Sequence, residues 1–69
     1  MPLTFMTPGT EGMIKRVSGR DDVRRLLESL GFVAGGKVTM ISSMGSNIII
    51  GIRGTRVAID KSMAQRIHV

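Results

Sequence analysis

Nine glycines and two prolines interrupt the 69 residues of this chain, and the pieces between them are, with one exception, short enough to be read as strands and turns. The exception lies between Gly19 and Gly31. There Val23, Leu26, Leu27 and Leu30 recur at i, i+3, i+4 and i+7, the 3.6-residue period of a helix with one apolar stripe. The spacing predicts a helix over 21–30. Asp21 and Asp22 suit the positive end of the helix dipole, and either Ser18 or Asp21 is placed to cap it. Gly31 follows as the left-handed residue that ends it. Arg24, Arg25 and Glu28 fall outside the stripe, on the side facing water.

The remainder reads as β. Pro8-Gly9 closes an N-terminal segment whose Leu3 and Phe5 are expected to lie against the body of the protein. Gly12 to Val17 is a candidate strand, and Lys37–Ser43, Asn47–Arg53 and Thr55–Ile59 follow with alternating character. A two-residue turn at Gly54-Thr55 has glycine first, as a type II′ turn prefers. It would set Ile52 opposite Val57, Ile50 opposite Ile59 and Arg53 opposite Arg56. For the preceding hairpin, a two-residue loop at Gly45-Ser46 would put Val38 and Met40 on the face away from Ile48, Ile50 and Ile52. A loop of three or five residues keeps all five on one face, so an odd loop is expected. Asp60 is placed to cap a short turn through Ala64, and Ile67–Val69 reads as a last short strand. The expected fold is mainly β with one inserted helix: a small SH3-like barrel of about five short strands, with residues 1–69 forming one domain.

Composition excludes several kinds of activity. Apolar residues make up 42% of the chain, a globular rather than a disordered balance. Without cysteine there is no disulfide framework and no thiolate metal site. The opening residues show no signal peptide, and Ile48-Ile49-Ile50 is far short of a membrane span, so a cytosolic location without membrane insertion is expected. Ten basic against five acidic residues give a net charge of +5, which favours anionic partners: nucleic acid, an acidic protein face or a membrane surface. Trp and Tyr are absent and Phe occurs twice, which argues against stacking on single-stranded nucleic acid.

No constellation for catalysis or for a built metal site is legible. The one histidine, His68, is the penultimate residue, and such a residue is more often structural than a general base. The carboxylates Glu11, Asp21, Asp22, Glu28 and Asp60 are scattered, and the six methionines read as fillers of core gaps rather than soft ligands. No cofactor is required on this reading. Any Fe(II) or Zn(II) would be held weakly, through His68 with a carboxylate or a neighbouring molecule. Gly31, Gly35 and Gly36 follow a helix and precede a strand, the reverse of the order in phosphate-binding loops.

The arginines are the most informative polar residues. The commoner reading of Arg53 and Arg56 is a charged edge that discourages aggregation. The sharper reading is a contact for an anion or an acidic protein face. Lys15, Arg16, Arg20, Arg24 and Arg25 form a second basic stretch, whose simplest reading is a solvated helix face with an Arg24–Glu28 pair.

Pro8-Gly9, Gly12 and Ile14, then Arg25-Leu26-Leu27-Glu28-Ser29-Leu30-Gly31-Phe32 with Gly35 and Val38, and Gly54-Thr55-Arg56-Val57-Ala58-Ile59 with Met63-Ala64, Ile67 and Val69, together resemble the FeoA family. These proteins are small cytosolic components of bacterial ferrous iron transport systems. Ala34-Gly35 departs from the Pro-Gly common in the family. The resemblance implies an SH3-like barrel serving as accessory to a large membrane permease with a cytosolic GTP-binding domain, and hence peripheral at the inner membrane through that partner. Similar barrels also end metal-dependent transcriptional repressors, whose DNA-binding helices lie outside the barrel. Nucleic acid is therefore not the expected partner; a basic nucleic-acid-binding barrel and a weak transition-metal binder are the alternatives. Without Trp or Tyr the chain lacks the grip of a polyproline groove. The expected partner contacts are Arg24, Arg25, Arg53 and Arg56, with Met44 near a hairpin tip as an apolar one.

Overall fold

The computed structural model describes residues 1–19 and 21–69, and the side chains of all of these but Asp21. It is mainly β, and six strands surround one core: β1 (Glu11–Met13), β2 (Arg16–Val17), β3 (Lys37–Met44), β4 (Asn47–Ile52), β5 (Thr55–Asp60) and β6 (Ile67–His68). A 3₁₀ turn at Leu3–Phe5, helix α1 (Asp21–Ser29) and the short helix α2 (Lys61–Ala64) complete it. Four strands form one antiparallel sheet in the order β1-β3-β4-β5, and β2 and β6 form a second, two-stranded one.

The strand expected over Gly12–Val17 is thus two strands, which raises the expected five to six. The chain turns between the sheets at Ile14-Lys15, where backbone bonding continues. The Ile14 N–H donates to the Gly36 carbonyl at 2.8 Å, and the Lys15 N–H to the His68 carbonyl at 2.7 Å. Buried Ile14 sits at that corner, so one segment serves both sheets and closes the barrel.

Inward residues follow the expected alternation. Val38, Met40, Ile48, Ile50, Ile52 and Ile59 are all buried. The route to that alternation differs from the expectation. Met44 pairs with Asn47 around a two-residue Gly45-Ser46 turn, and the register shifts between Met40 and Ser42. The extra residue, Ile41, forms a β-bulge, and one extra residue restores the parity that an odd loop would have given. Gly45 has φ +57° and Ser46 does not share the positive sign, so the glycine-first II′ turn occurs in this hairpin.

In the next hairpin the turn falls one residue earlier than expected. Ile52 pairs with Thr55 and Ile50 with Val57, so Arg53-Gly54 is the turn. Both residues have positive φ, +52° and +77°, the signature of type I′. Arg56 therefore opposes Gly51 rather than Arg53. A slip of two residues leaves every side chain on its expected face, which is why the core is unaffected.

Helix α1 buries less than its stripe suggests. Leu27 is fully buried and Val23 packs at the core margin, whereas Leu26 and Leu30 are 50% and 38% exposed. The helix end explains this. The Phe32 N–H donates to the Leu27 carbonyl and the Gly31 N–H to the Glu28 carbonyl, both at 3.0 Å. With Gly31 at φ +104° this is a Schellman motif. It folds Phe32 back into the core, where it is fully buried beside Leu27, leaving Leu30 at the surface. Among the described residues the Ser18 hydroxyl lies 3.3 Å from the Arg66 carbonyl and 3.2 Å from His68 Nε2. The cap expected of the Asp21 side chain lies outside the described residues.

Asp60 caps α2 as expected, its Oδ1 accepting from the Met63 N–H at 2.8 Å and the Ser62 hydroxyl at 2.7 Å. These bonds hold its carboxyl below the usual carboxylate range. At the N-terminus Leu3 is buried as expected, but Phe5 is 72% exposed. Pro8-Gly9 forms the centre of a turn closed by the Thr10 N–H on the Thr7 carbonyl.

Candidate functional site

On the outer face of the four-stranded sheet one row of register partners crosses all four strands. Glu11 on β1, Thr39 on β3, Gly51 on β4 and Arg56 on β5 are successive register partners. Because Gly51 has no side chain, the row is interrupted and a shallow open trough forms there, bordered by Lys37, Ile41, Arg53 and Arg56. The bulge supplies one wall: Ile41 Cδ1 lies 3.2 Å from where a Cβ on Gly51 would stand. A larger residue at Gly51 would press on Ile41 and fill the trough.

Charge in the trough is arranged in two halves. On the β1 side Lys37 Nζ and Glu11 Oε2 form an ion pair at 2.7 Å, with both side chains more than half exposed. The Glu11 carboxylate, through its hydrogen bond and then its charge, holds the Lys37 ammonium above the usual lysine range. On the β5 side Arg53 and Arg56 make no ion pair among the described residues. Arg53 Cδ lies 3.5 Å from where a Cβ on Gly31 would stand, so its stem runs along the C-terminal end of α1. Holding a non-glycine residue at φ +52° costs on the order of 1–2 kcal/mol. The type I′ turn requires that conformation at both central residues, and non-glycine residues held in it cluster at functional sites.

Of the five residues expected to contact a partner, Arg53 and Arg56 share this trough. Arg24 does not line it and is engaged with Glu28 at 2.9 Å. Arg25 is exposed on α1. Met44 is 70% exposed next to the Gly45-Ser46 turn, at the hairpin tip where the sequence places it. Lys37, Glu11 and Thr39 do not stand out from the sequence, because β1–β3 pairing joins segments more than twenty residues apart. The alternation of Lys37 and Thr39 around inward Val38 is their one signal there.

His68 is half-buried in β6 and pairs with Arg16 across the second sheet. Burial chiefly, then the positive charges of Arg16 and the N-terminal ammonium, push it below the usual histidine range. Its imidazole therefore stays neutral near pH 7, with Nε2 against the Ser18 hydroxyl at 3.2 Å. Among the described residues no three His, Cys, Asp or Glu side chains come together as a metal site. No helix among them is long and apolar enough to cross a membrane.

The family model for the FeoA domain matches residues 1–69. A protein of Methanocaldococcus jannaschii named as an Fe(2+) transport protein A is 29% identical over 68 residues, spanning 99% of this chain and 83% of the relative. The crystal structure of an iron uptake regulatory protein, FeoA, superposes with a TM-score of 0.90 at 34% identity, covering 97% of this chain and 91% of that one. FeoA of Stenotrophomonas maltophilia, crystallised with zinc and described as a procaryotic SH3 domain protein, gives a TM-score of 0.88 at 29% identity, with 100% and 88% covered. The SH3-like barrel, the punctuated sequence and the family match over the whole length agree: this chain belongs to the FeoA family, which is associated with ferrous iron transport.

Proposed function

We propose that this chain is an accessory module that docks on the cytosolic GTP-binding domain of a ferrous iron permease and biases that domain between two of its states. A binding module shifts such an equilibrium only by its difference in affinity for the two states. The reading is supported chiefly by the β5 half of the trough, where Arg53 and Arg56 stand without acidic partners among the described residues and Arg53 is held in a strained backbone. Met44 at the neighbouring hairpin tip offers an apolar contact, and Arg24 and Arg25 on α1 a second basic face. On this reading residues 1–69 work as one non-enzymatic domain in the cytoplasm, peripheral at the inner membrane through the permease. Among the described residues no three His, Cys, Asp or Glu side chains gather, and on this reading iron is cargo of the partner.

The test is a docking measurement against the permease domain at ~150 mM salt, where long-range charge attraction is screened. The double variant Arg53→Glu, Arg56→Glu should weaken docking at least about tenfold, since reversing a charge at an interface costs on the order of 1 kcal/mol or more per residue. Its melting temperature should not fall, because both side chains are exposed. Undiminished docking by that variant would remove these residues from the interface.

A further inference from the structure

The hydrogen-bond alternation of β5 leaves one of its edges without a partner. The Arg53-Gly54 turn closes on the pair Ile52/Thr55, and in a two-residue hairpin that closing pair exchanges both backbone bonds. Counting along the register, Ile50/Val57 and Ile48/Ile59 are the next bonded pairs, while Gly51/Arg56 and Ile49/Ala58 are the non-bonded ones. The N–H and C=O groups of Arg56 and Ala58 therefore point away from β4. β5 ends the strand order β1-β3-β4-β5, and no turn or loop among the described residues bonds to either backbone. Both residues are exposed.

An open strand edge accepts another strand unless charge repels it. The charges beside this edge select what can approach. Arg53 precedes the strand, Arg56 lies on its outer face and Lys61 follows it, all exposed. The nearby carboxylates are already engaged: Asp60 caps α2, and Glu11 pairs with Lys37. A second copy of this chain is a poor occupant, because antiparallel pairing of two β5 edges about Val57 would set Arg53 of each against Lys61 of the other. An acidic strand meets no such conflict, and Ala58 leaves room on the outer face for its side chains.

We propose that the open edge of β5 receives an extended acidic segment of a partner protein as a fifth strand of the sheet. Backbone bonds to Arg56 and Ala58 would give affinity, and carboxylates on alternate residues beside Arg56 and Arg53 would give specificity. The identity of the partner rests on the permease reading above; the chemistry of the edge does not.

The experiment is an amide NMR titration and hydrogen-exchange measurement on the isotope-labelled full chain at ~150 mM salt. The probe is a capped hexapeptide alternating glutamate with valine, taken into the millimolar range. The controls are the same peptide N-methylated at alternate backbone nitrogens and a lysine–valine counterpart. The expected result is a saturable shift centred on β5, with Arg56 and Ala58 amides moving downfield and exchanging more slowly. N-methylation, or Ala58→Pro in the protein, should weaken binding about tenfold, the effect of removing one or two backbone hydrogen bonds. Proline is tolerated where a strand N–H faces outward; if Ala58→Pro lowers the melting temperature, Arg56→Glu and the N-methylated peptide carry the test. Absence of shifts at Arg56 and Ala58, or equal binding of the N-methylated or the lysine peptide, overturns the proposal. The permease domain separates the two readings. If it binds and leaves these two amides unprotected, the edge is wrong and docking stands. If the peptide binds at β5 and the permease domain does not bind, the edge stands and the permease is the wrong partner.

Discussion

Arg53 and His68 are the residues whose local environments make the sharpest demands. Arg53 holds a left-handed backbone at φ +52° that glycine adopts without cost. Arg53→Gly should therefore raise stability by about 1 kcal/mol, seen as a melting temperature higher by roughly 4–8 °C for a domain of this size. If docking needs Arg53, the same variant should bind its partner less well. His68 gives a pH dependence. Its folded-state pKa lies below the ordinary value of about 6.5, so the folded protein binds this proton less readily than the unfolded chain. The stability this contributes is present in full above about pH 6.5 and is lost as pH falls through the lowered folded value. Thermal melts from pH 7 to 5 should show the wild-type protein losing more stability than His68→Gln. Parallel profiles would mean that His68 is not held neutral by its surroundings.

At the scale of elements, the faces of the strands were legible and their register was not. Alternation tells which residues point inward, and Val38, Met40, Ile48, Ile50, Ile52 and Ile59 are buried as it requires. Alternation cannot distinguish registers that differ by two, so Gly54-Thr55 and Arg53-Gly54 turns are equivalent to the core. Only the positive φ of both Arg53 and Gly54 separates them. The bulge at Ile41 was illegible for a related reason: an odd loop and an even loop with a bulge have the same parity. Helix α1 was legible as a helix, but its period also points Leu26 and Leu30 at the core, because the inward fold of Phe32 through the Schellman motif has no period of its own. Of the candidate site, Arg53 and Arg56 could be placed together beside one turn, whereas Lys37 and Glu11 needed the long-range pairing of β1 with β3. The bulge makes a direct prediction. Deleting Ile41 removes one residue from β3, so either Val38 and Met40 leave the core or the Gly45-Ser46 turn is rebuilt. Taking two buried side chains of this size out of the core costs several kcal/mol, and the deletion variant should show a collapsed melting transition. An unchanged melt would mean that the bulge does not set the register.

At the scale of the whole molecule, the net charge of +5 and the division of the surface matter more than any one side chain. Among the described residues six strands share one core, and the outer face of the larger sheet, open to solvent, mixes Glu11, Thr39 and Arg56 with Met13, Ile41, Ile49 and Ala58. The trough between Arg56 and Thr39 exists because Gly51 and the Ile41 bulge lie side by side on that face. What that face presents is a shaped, basic sheet margin bordered by Arg53 and Arg56. The charge also suits nucleic acid, so docking must be separated from plain electrostatic attraction, which weakens steeply with salt.

The most direct measurement is an amide NMR titration of the labelled chain with the cytosolic GTP-binding domain of the ferrous iron permease from the same organism, with a random DNA duplex as the control. Saturable shifts with the protein domain that persist at ~150 mM salt and centre on Arg53, Arg56 and the β5 margin are the predicted result. Shifts with DNA alone, spread over the basic surface and fading as salt rises, would contradict it.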